Sequence, residues 1–327
     1  MWDPRDLPDQ SGASFLITGS NAGLGYFAAE QLARAGARVI MTGRNPNRLA
    51  AARAAVERRV PQAASSKTVE TLLLDTSNLG SVRAAAATAR AHGKLDGLLL
   101  NAGVVHPPQN RQTTTDGHEL VYATNVLGHF ALAGEMLTAL AAGLGRMVWL
   151  GSMSTSMWRY SMEQPELSDV YTPWRAYVQS KIATTSLGFE ADRRLRQASI
   201  PVTSVVAHPG YSVSGRTVGI RGVNAPSRWN RFLDNLQTPI TQSKEQGAHA
   251  LVRALIDPEI GGGEYWGPSR IANGAPRRQQ PPRQTRDPEL GARLWRLAED
   301  ATGVSWPPTK GKHRGRPARR GAGSSNE

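Results

Sequence analysis

Apolar residues in this chain come in short unbroken runs, separated by longer stretches in which they recur every three or four positions. The runs are SFLIT (14–18), ARVIMTG (37–43), VETLLLD (69–75), LDGLLLNAG (95–103), RMVWLGS (146–152) and PVTSVVAHPG (201–210). A run without polar alternation predicts a strand covered on both faces. Between the runs, 24–35, 46–59, 79–92 and 119–142 carry Ala, Leu and Arg at the spacing of amphipathic helices. Strand, helix, strand in repetition predicts an α/β fold, a doubly wound, mostly parallel sheet flanked by helices. GGEYWGP (262–268) predicts a seventh strand. Leu290, Leu294, Trp295, Leu297 and Ala301 recur at helical spacing and predict a closing helix that packs on the core or at an interface. No linker divides 12–305 and no repeat of solenoid period is visible, so the expectation is one domain preceded by an extension over 1–11.

Composition narrows the function. The 327 residues are 39% hydrophobic, enough for a buried core without staples. The absence of cysteine excludes disulfides, thiolate nucleophiles and cysteine-ligated zinc. No pair of histidines has a zinc-binding spacing, and no metal is predicted. MWDPRDLPDQSGAS is polar and broken by proline, unlike a signal peptide, and no apolar run reaches membrane-spanning length, so a cytoplasmic protein without a membrane span is expected. The net charge of +13 is concentrated late: thirteen Lys/Arg stand against five Asp/Glu from Arg270 to Glu327. Residues 306–327, rich in Pro, Gly and Arg, read as a basic disordered tail. Lys310, Lys312 and Arg314 to Arg320 offer weak, salt-sensitive attraction to polyanions rather than a specific nucleic-acid arm.

Candidate chemistry starts at TGSNAGLG, which puts Gly19, Gly23 and Gly25 after the first strand and at the mouth of the first helix. Such a turn lets backbone approach a diphosphate and aims free N–H groups at it. A tight turn needs glycine with no ligand present, but the position after strand one favours a nucleotide. AYVQSK (176–181) sets Tyr177 and Lys181 four apart on one helix face, a pattern too short to carry weight alone. Taken in order, Thr18, Gly19, Gly23 and Gly25 (TGxxxGxG), Asn101 to Gly103 (NAG), Asn125, Ser152, Tyr177 with Lys181 (YxxxK) and His208 to Gly210 (HPG) resemble the short-chain dehydrogenases/reductases, across about 12–305. SDVYTPWRAYVQSK resembles the branch holding retinol dehydrogenases, protochlorophyllide reductases and many bacterial oxidoreductases.

The resemblance implies a Rossmann-type domain that transfers hydride between a nicotinamide cofactor and a carbonyl/alcohol pair. Reduction of a carbonyl leaves an alkoxide that needs a proton, and Tyr177 is the implied general acid/base. A phenol of pKa about 10 must be tuned downward to serve as a base. Lys181 is expected to do this, with the positive nicotinamide, and to hold the nicotinamide ribose. Ser152 is expected to bind the substrate oxygen, with Ser154 as fallback. Asn125 would hold a water of the proton relay, or simply bond neighbouring backbone. Asn101 would brace the strand end beside the cofactor, and Asp75 would contact adenine. The second strand ends in MTGRN with no acid, so NADP(H) is expected over NAD(H), Arg44 gripping the 2′-phosphate with Ser20 or Asn21 assisting. Leu24, Ala102, Gly103, Pro209, Gly210, Ser212 and Ser214 complete the expected cofactor set.

The interval from Ser152 to Tyr177 holds Met157, Trp158, Tyr160, Met162, Tyr171 and Trp174, consistent with a lipophilic small-molecule substrate but also with core cover. A substrate lid is expected over about 211–240. There Trp229, Phe232 and Leu233 would line a lipophilic pocket and Arg221, Arg228 and Arg231 would meet an acidic group, or all would pack as surface. Relatives pair through helices of such a sheet, so a homo-oligomer is compatible. The alternative to an enzyme is a catalytically weak nucleotide-binding regulator or scaffold with a polyanion-binding tail.

Overall fold

Each apolar run becomes a strand, and all but the edge run 69–75, where Thr71 and Leu73 stay exposed, are covered on both faces. In the structure, a computed structural model that describes residues 6–307, the strands are β1 (Ser14–Ile17), β2 (Arg38–Gly43), β3 (Val69–Leu73), β4 (Gly97–Leu100), β5 (Arg146–Leu150), β6 (Thr203–Ala207), β7 (Ser212–Val213), β8 (Gln242–Ser243), β9 (Tyr265–Pro268) and β10 (Pro276–Gln279). Eight form one sheet in the order β3-β2-β1-β4-β5-β6-β9-β10, while β7 and β8 pair separately. All neighbours in the large sheet run parallel except β10, which pairs antiparallel with β9. The sequence predicted seven strands and missed the short β7–β8 pair and, in the large sheet, β10. Its PRRQ opens on proline and exposes Arg277 and Arg278, the profile of a guarded edge strand rather than an apolar run.

The principal helices are α1 (Gly23–Arg34), α2 (Pro46–Arg59), α3 (Leu79–Arg90), α4 (Gly128–Glu135), α5 (Pro173–Gln197), α6 (Arg228–Leu236), α7 (Lys244–Ile256) and α8 (Pro288–Thr302). One core packs α1, α2 and α7 on one face of the sheet, and a second packs α3, α4, α5 and α8 on the other. Caps fix where the helices begin: Asn45, Thr172 and Asp287 each accept from a backbone N–H of the first turn, ahead of Pro46, Pro173 and Pro288. Strand order reverses at β1, which lies between β2 and β4, so a crevice opens beyond the carboxyl ends of β1 and β4.

Two expectations need correction. The stretch 119–142 is not one regular helix: a π turn spans Ala123–Leu127, and the helix breaks at Met136. Trp306, which the sequence assigned to the tail, is buried. It lies 4.5 Å from the Trp295 ring, and its Nε1 donates to the Phe130 carbonyl at 3.2 Å. Residues 1–5 and 308–327 lie outside the described residues, and with them the Lys310 to Arg320 cluster. Among the described residues no helix is long and apolar enough to cross a membrane.

Candidate active site

The glycine loop closes tightly on the turn after β4. Gly19 has φ +66, and a Cβ there would lie 2.8 Å from Ala102 Cα; one on Gly25 would lie 2.5 Å from Asn101 Nδ2 and 2.6 Å from the Gly19 carbonyl. Thr18 Oγ1 accepts from Asn101 N at 2.7 Å and Ala102 N at 2.9 Å, and Asn101 Nδ2 donates to the Thr18 carbonyl at 2.7 Å. Asn101 is thus the brace of the strand end. Ala22 caps α1 without a side-chain bond, which leaves the leading N–H groups to the crevice. Lys244 Nζ lies 3.9 Å from where a Gly23 side chain would begin, so a cation stands over the opening of the loop. Burial lowers the pKa of Lys244 while Asp234 draws it back up. Nothing local in QSKEQG marks Lys244, because its nearness to Gly23 arises only when α7 packs on α1. Bare backbone, free helix N–H groups and a cation fit the diphosphate of a dinucleotide.

Other expected cofactor residues divide. Leu24 and Ser212 both border Gly247, whose Cβ would lie 2.9 Å from Leu24 Cδ2. Asn21 Oδ1 would lie 3.0 Å from a Cβ on Gly43, at the end of β2. Arg44 beside it is exposed and forms no ion pair or hydrogen bond with another described residue. Ser20 is fully buried, and its hydroxyl accepts from Thr42 N at 2.8 Å and faces the Ile17 carbonyl at 3.2 Å. Its side chain is thus engaged with backbone at β1 and β2. Asp75 Oδ1 accepts from Ser77 N at 2.9 Å and Ser77 Oγ at 2.6 Å. The Pro209 carbonyl takes Ser212 Oγ at 2.8 Å and Gln242 Nε2 at 2.7 Å. Gly210, at φ +63, has the Ala272 carbonyl where a side chain would be. The Ser214 carbonyl accepts from Thr217 N at 3.1 Å.

Tyr177 and Ser152 come together: the phenol donates to Ser152 Oγ at 3.2 Å, and Ser154 Oγ donates to the same atom at 2.9 Å. Burial raises the Tyr177 pKa, and the Ser152 bond offsets it only in part. This is opposite to the tuning expected of a YxxxK pair. Lys181 is buried and its Nζ donates to the Leu150 carbonyl at 2.9 Å, not to the phenol. Burial pushes its pKa down to about 8. The Asn125 side chain is a brace, accepting from Val104 N and donating to Ser180 Oγ, each at 2.8 Å. Its carbonyl, in the π turn, is met by His129 Nδ1 and Thr184 Oγ1, each at 3.1 Å. Because a carbonyl only accepts, Nδ1 carries the proton, so Nε2 accepts from Thr18 Oγ1 at 3.0 Å. Burial, then repulsion from Lys181, pushes His129 down to about 3 and keeps it neutral. A hydrogen-bonded chain therefore runs from the glycine loop through His129 and Asn125 to α5. Sequence reasoning gave His129 no role, since no pair of histidines has a zinc-binding spacing.

A wall of aromatic rings leads outward from the phenol. The Trp174 ring lies 5.7 Å from that of Tyr177, and Trp158 packs edge-on to Trp174 at 4.9 Å. Both tryptophans and Met157 are exposed. Tyr160, Met162 and Tyr171 turn the other way. Met162 is buried, Tyr160 packs against the core under Arg175, and the Tyr171 hydroxyl donates to the Pro108 carbonyl at 3.1 Å. Trp229, Phe232 and Leu233, expected to line a lid pocket, are exposed on α6, and Arg221 and Arg228 are exposed as well. Arg231 Nη1 reaches the Gly215 carbonyl at 3.5 Å. Among the described residues no group of three His, Cys, Asp or Glu is placed to hold a metal ion.

Sheet topology, glycine loop and the paired hydroxyls define a dinucleotide-dependent oxidoreductase. The family model for short chain dehydrogenases matches residues 14–219. The chain belongs to the short-chain dehydrogenase/reductase family, whose members use a nicotinamide cofactor. It is similar to polyprenol dehydrogenase of Mus musculus, 34% identical over 319 residues that cover 93% of this chain and 90% of that protein. Retinol dehydrogenase 14 of Mus musculus is 29% identical over 90% of this chain and 86% of its own, in keeping with the retinol dehydrogenase branch. A crystal structure of an uncharacterised protein from Mycobacterium paratuberculosis superposes with a TM-score of 0.73 at 32% identity, covering 94% of this chain and 99% of that one.

Proposed function

We propose that this chain is an NADP(H)-dependent oxidoreductase interconverting the carbonyl and alcohol forms of an extended, apolar small molecule. The observation that carries the reading is the Tyr177 hydroxyl at 3.2 Å from Ser152 Oγ, with the Trp174 and Trp158 rings leading outward from it. When bound, the cofactor supplies or accepts the hydride. Ser152 and Tyr177 hydrogen-bond the substrate oxygen from two sides, Ser154 orients the Ser152 hydroxyl, and Tyr177 holds the proton that the oxygen gains or loses. Lys181 would hold the nicotinamide ribose and, as a cation one turn along α5 from Tyr177, would lower the phenol pKa. The His129–Asn125 chain keeps α5 in register with the glycine loop. Arg44, exposed at an acid-free end of β2 beside Asn21, receives a 2′-phosphate. Lys244 adds positive charge beside the diphosphate. The apolar wall suits the long, apolar alcohols named in the two Mus musculus relatives.

Turnover with NADPH and NADH on alcohols and aldehydes of increasing chain length tests the reading. NADPH should be preferred and kcat/KM should climb with chain length. Tyr177→Phe should lower kcat by roughly 10²–10⁴-fold with NADPH affinity kept. NADPH binding with no turnover across that panel would favour the nucleotide-binding regulator instead.

A further inference from the structure

The lid helix α6 is amphipathic with its polar side turned inward. Trp229, Phe232, Leu233 and Leu236 follow the i, i+3, i+4, i+7 stripe of one helix face, yet they are 65%, 54%, 39% and 66% exposed. Ile240 just beyond is 56% exposed. The helix instead offers polar groups to the protein: Asp234 Oδ2 accepts from Gly215 N at 2.6 Å, and Arg231 Nη1 approaches the Gly215 carbonyl. The Trp229 and Phe232 rings stack on each other at 5.6 Å. Around the helix the lid is tied down, with Thr217 Oγ1 accepting from Lys244 N at 2.9 Å and Gly222 lying against Ala51 of α2. The apolar stripe is therefore presented on an anchored element.

Charge selects the occupant. Across 211–241 the chain carries Arg216, Arg221, Arg228 and Arg231 against a single acid, Asp234; Arg231 and Asp234 both turn onto Gly215 and Arg216 onto the Thr238 and Thr241 carbonyls, which leaves Arg221 and Arg228 as exposed cations with no exposed acid beside them. A second copy of a chain with net charge +13 would bring like charges to the stripe's rim, whereas an anionic bilayer complements both the rings and the arginines. We propose that α6 docks in the headgroup region of an anionic lipid bilayer, with Trp229 and Phe232 as its anchors, and so sets the lid of the crevice on the membrane surface. The stripe and its arginines carry this inference, and it stands whether or not the substrate is apolar.

The test is sedimentation of the full chain with vesicles of phosphatidylcholine, with and without phosphatidylglycerol, and it needs no turnover. Binding should require phosphatidylglycerol, weaken with salt, and fall roughly tenfold for each ring removed in Trp229→Ser and Phe232→Ser, since each ring loses apolar burial. Both residues are exposed, so NADPH affinity and melting temperature should report an intact fold. Three results would overturn the proposal: no binding to the anionic vesicles, equal binding by the double variant (attraction through basic residues elsewhere), or a dimer that the double variant splits, which would show a second copy on the stripe.

Discussion

Lys181 separates the demands of folding from those of function. Its ammonium is buried, donates to the Leu150 carbonyl at 2.9 Å, and is pushed by burial from the ordinary value of 10.5 down to about 8. A depression of that size penalises the charged form in the fold by about 3 kcal/mol. Because the folded pKa lies below the unfolded one, the unfolded chain holds an extra proton between about 8 and 10.5. Wild-type stability therefore rises with pH across that window, and the penalty is complete below it. Lys181→Met keeps the stem and deletes the charge, at the cost of orphaning the Leu150 carbonyl by about 1 kcal/mol. The cofactor-free variant should then be about 2 kcal/mol more stable than wild type near neutral pH, a gain of a few degrees in Tm. That advantage should shrink as pH climbs through the window, while the proposed ribose contact of Lys181 predicts a smaller Tm rise on adding NADPH to the variant. Thermal denaturation over this pH range, with and without NADPH, reads both effects. A variant less stable than wild type at neutral pH, or a difference indifferent to pH, would refute the assignment of Lys181 as a buried, costly cation.

Arg44→Asp should lower the ratio of kcat/KM for NADPH over NADH by roughly 10–100-fold, the worth of one charge-assisted contact, and an unchanged ratio would remove Arg44 from the phosphate site. Gly25→Ala would set a Cβ 2.5 Å from Asn101 Nδ2 and 2.6 Å from the Gly19 carbonyl, so stability should fall by about 1–3 kcal/mol and NADPH affinity with it. Wild-type affinity in a fluorescence titration would show that the loop is not the diphosphate cradle. His129, held near 3 against an unfolded 6.5, contributes stability that is present above 6.5 and lost as pH falls toward 3. His129→Phe should remove about one proton, or 1.36 kcal/mol per pH unit, from the acid slope of urea-unfolding free energy, leaving His208, pushed down to about 4, to supply its own share; an unaltered slope would mean that His129 is not buried neutral.

The architecture was legible because the inner parallel strands are apolar on both faces, and seven of the eight sheet strands show as short apolar runs in the sequence, edge strand β3 included although it leaves Thr71 and Leu73 exposed. The eighth did not, since an edge strand is kept soluble by the very charges, Arg277 and Arg278, that break the pattern. The π turn at Ala123–Leu127 was invisible for a different reason. One extra residue in a turn leaves the apolar spacing on either side almost undisturbed, and only the diversion of the Asn125 carbonyl to His129 and Thr184 reveals it. Trp306 was hidden by its neighbours: a single ring inside a Pro-rich basic stretch gives no period, and only the Trp295–Phe130 cleft shows where it goes.

Within the site, motif order named the right neighbourhood but not the partner each atom chooses. Helical spacing puts Tyr177 and Lys181 on one face, yet a four-carbon stem reaches several acceptors, and burial decides among them. Ser20 shows the same limit, since adjacent positions of a tight turn point to opposite sides and one of them must fill the gap between β1 and β2. The directions of the two pKa shifts follow from one cause: low-dielectric surroundings disfavour charge, so burial pushes the phenol up and the ammonium down. Tyr177 is then a neutral hydrogen-bond donor to Ser152 in the open crevice, with Lys181 held against Leu150. For the phenol to act as a base, a positive charge must bear on the phenolic oxygen, and the Leu150 bond of Lys181 does not itself supply that. YxxxK spacing alone therefore does not lower the phenol pKa: helix geometry sets the two side chains on one face, and the acceptor that Lys181 finds, the Leu150 carbonyl, decides where its charge lies.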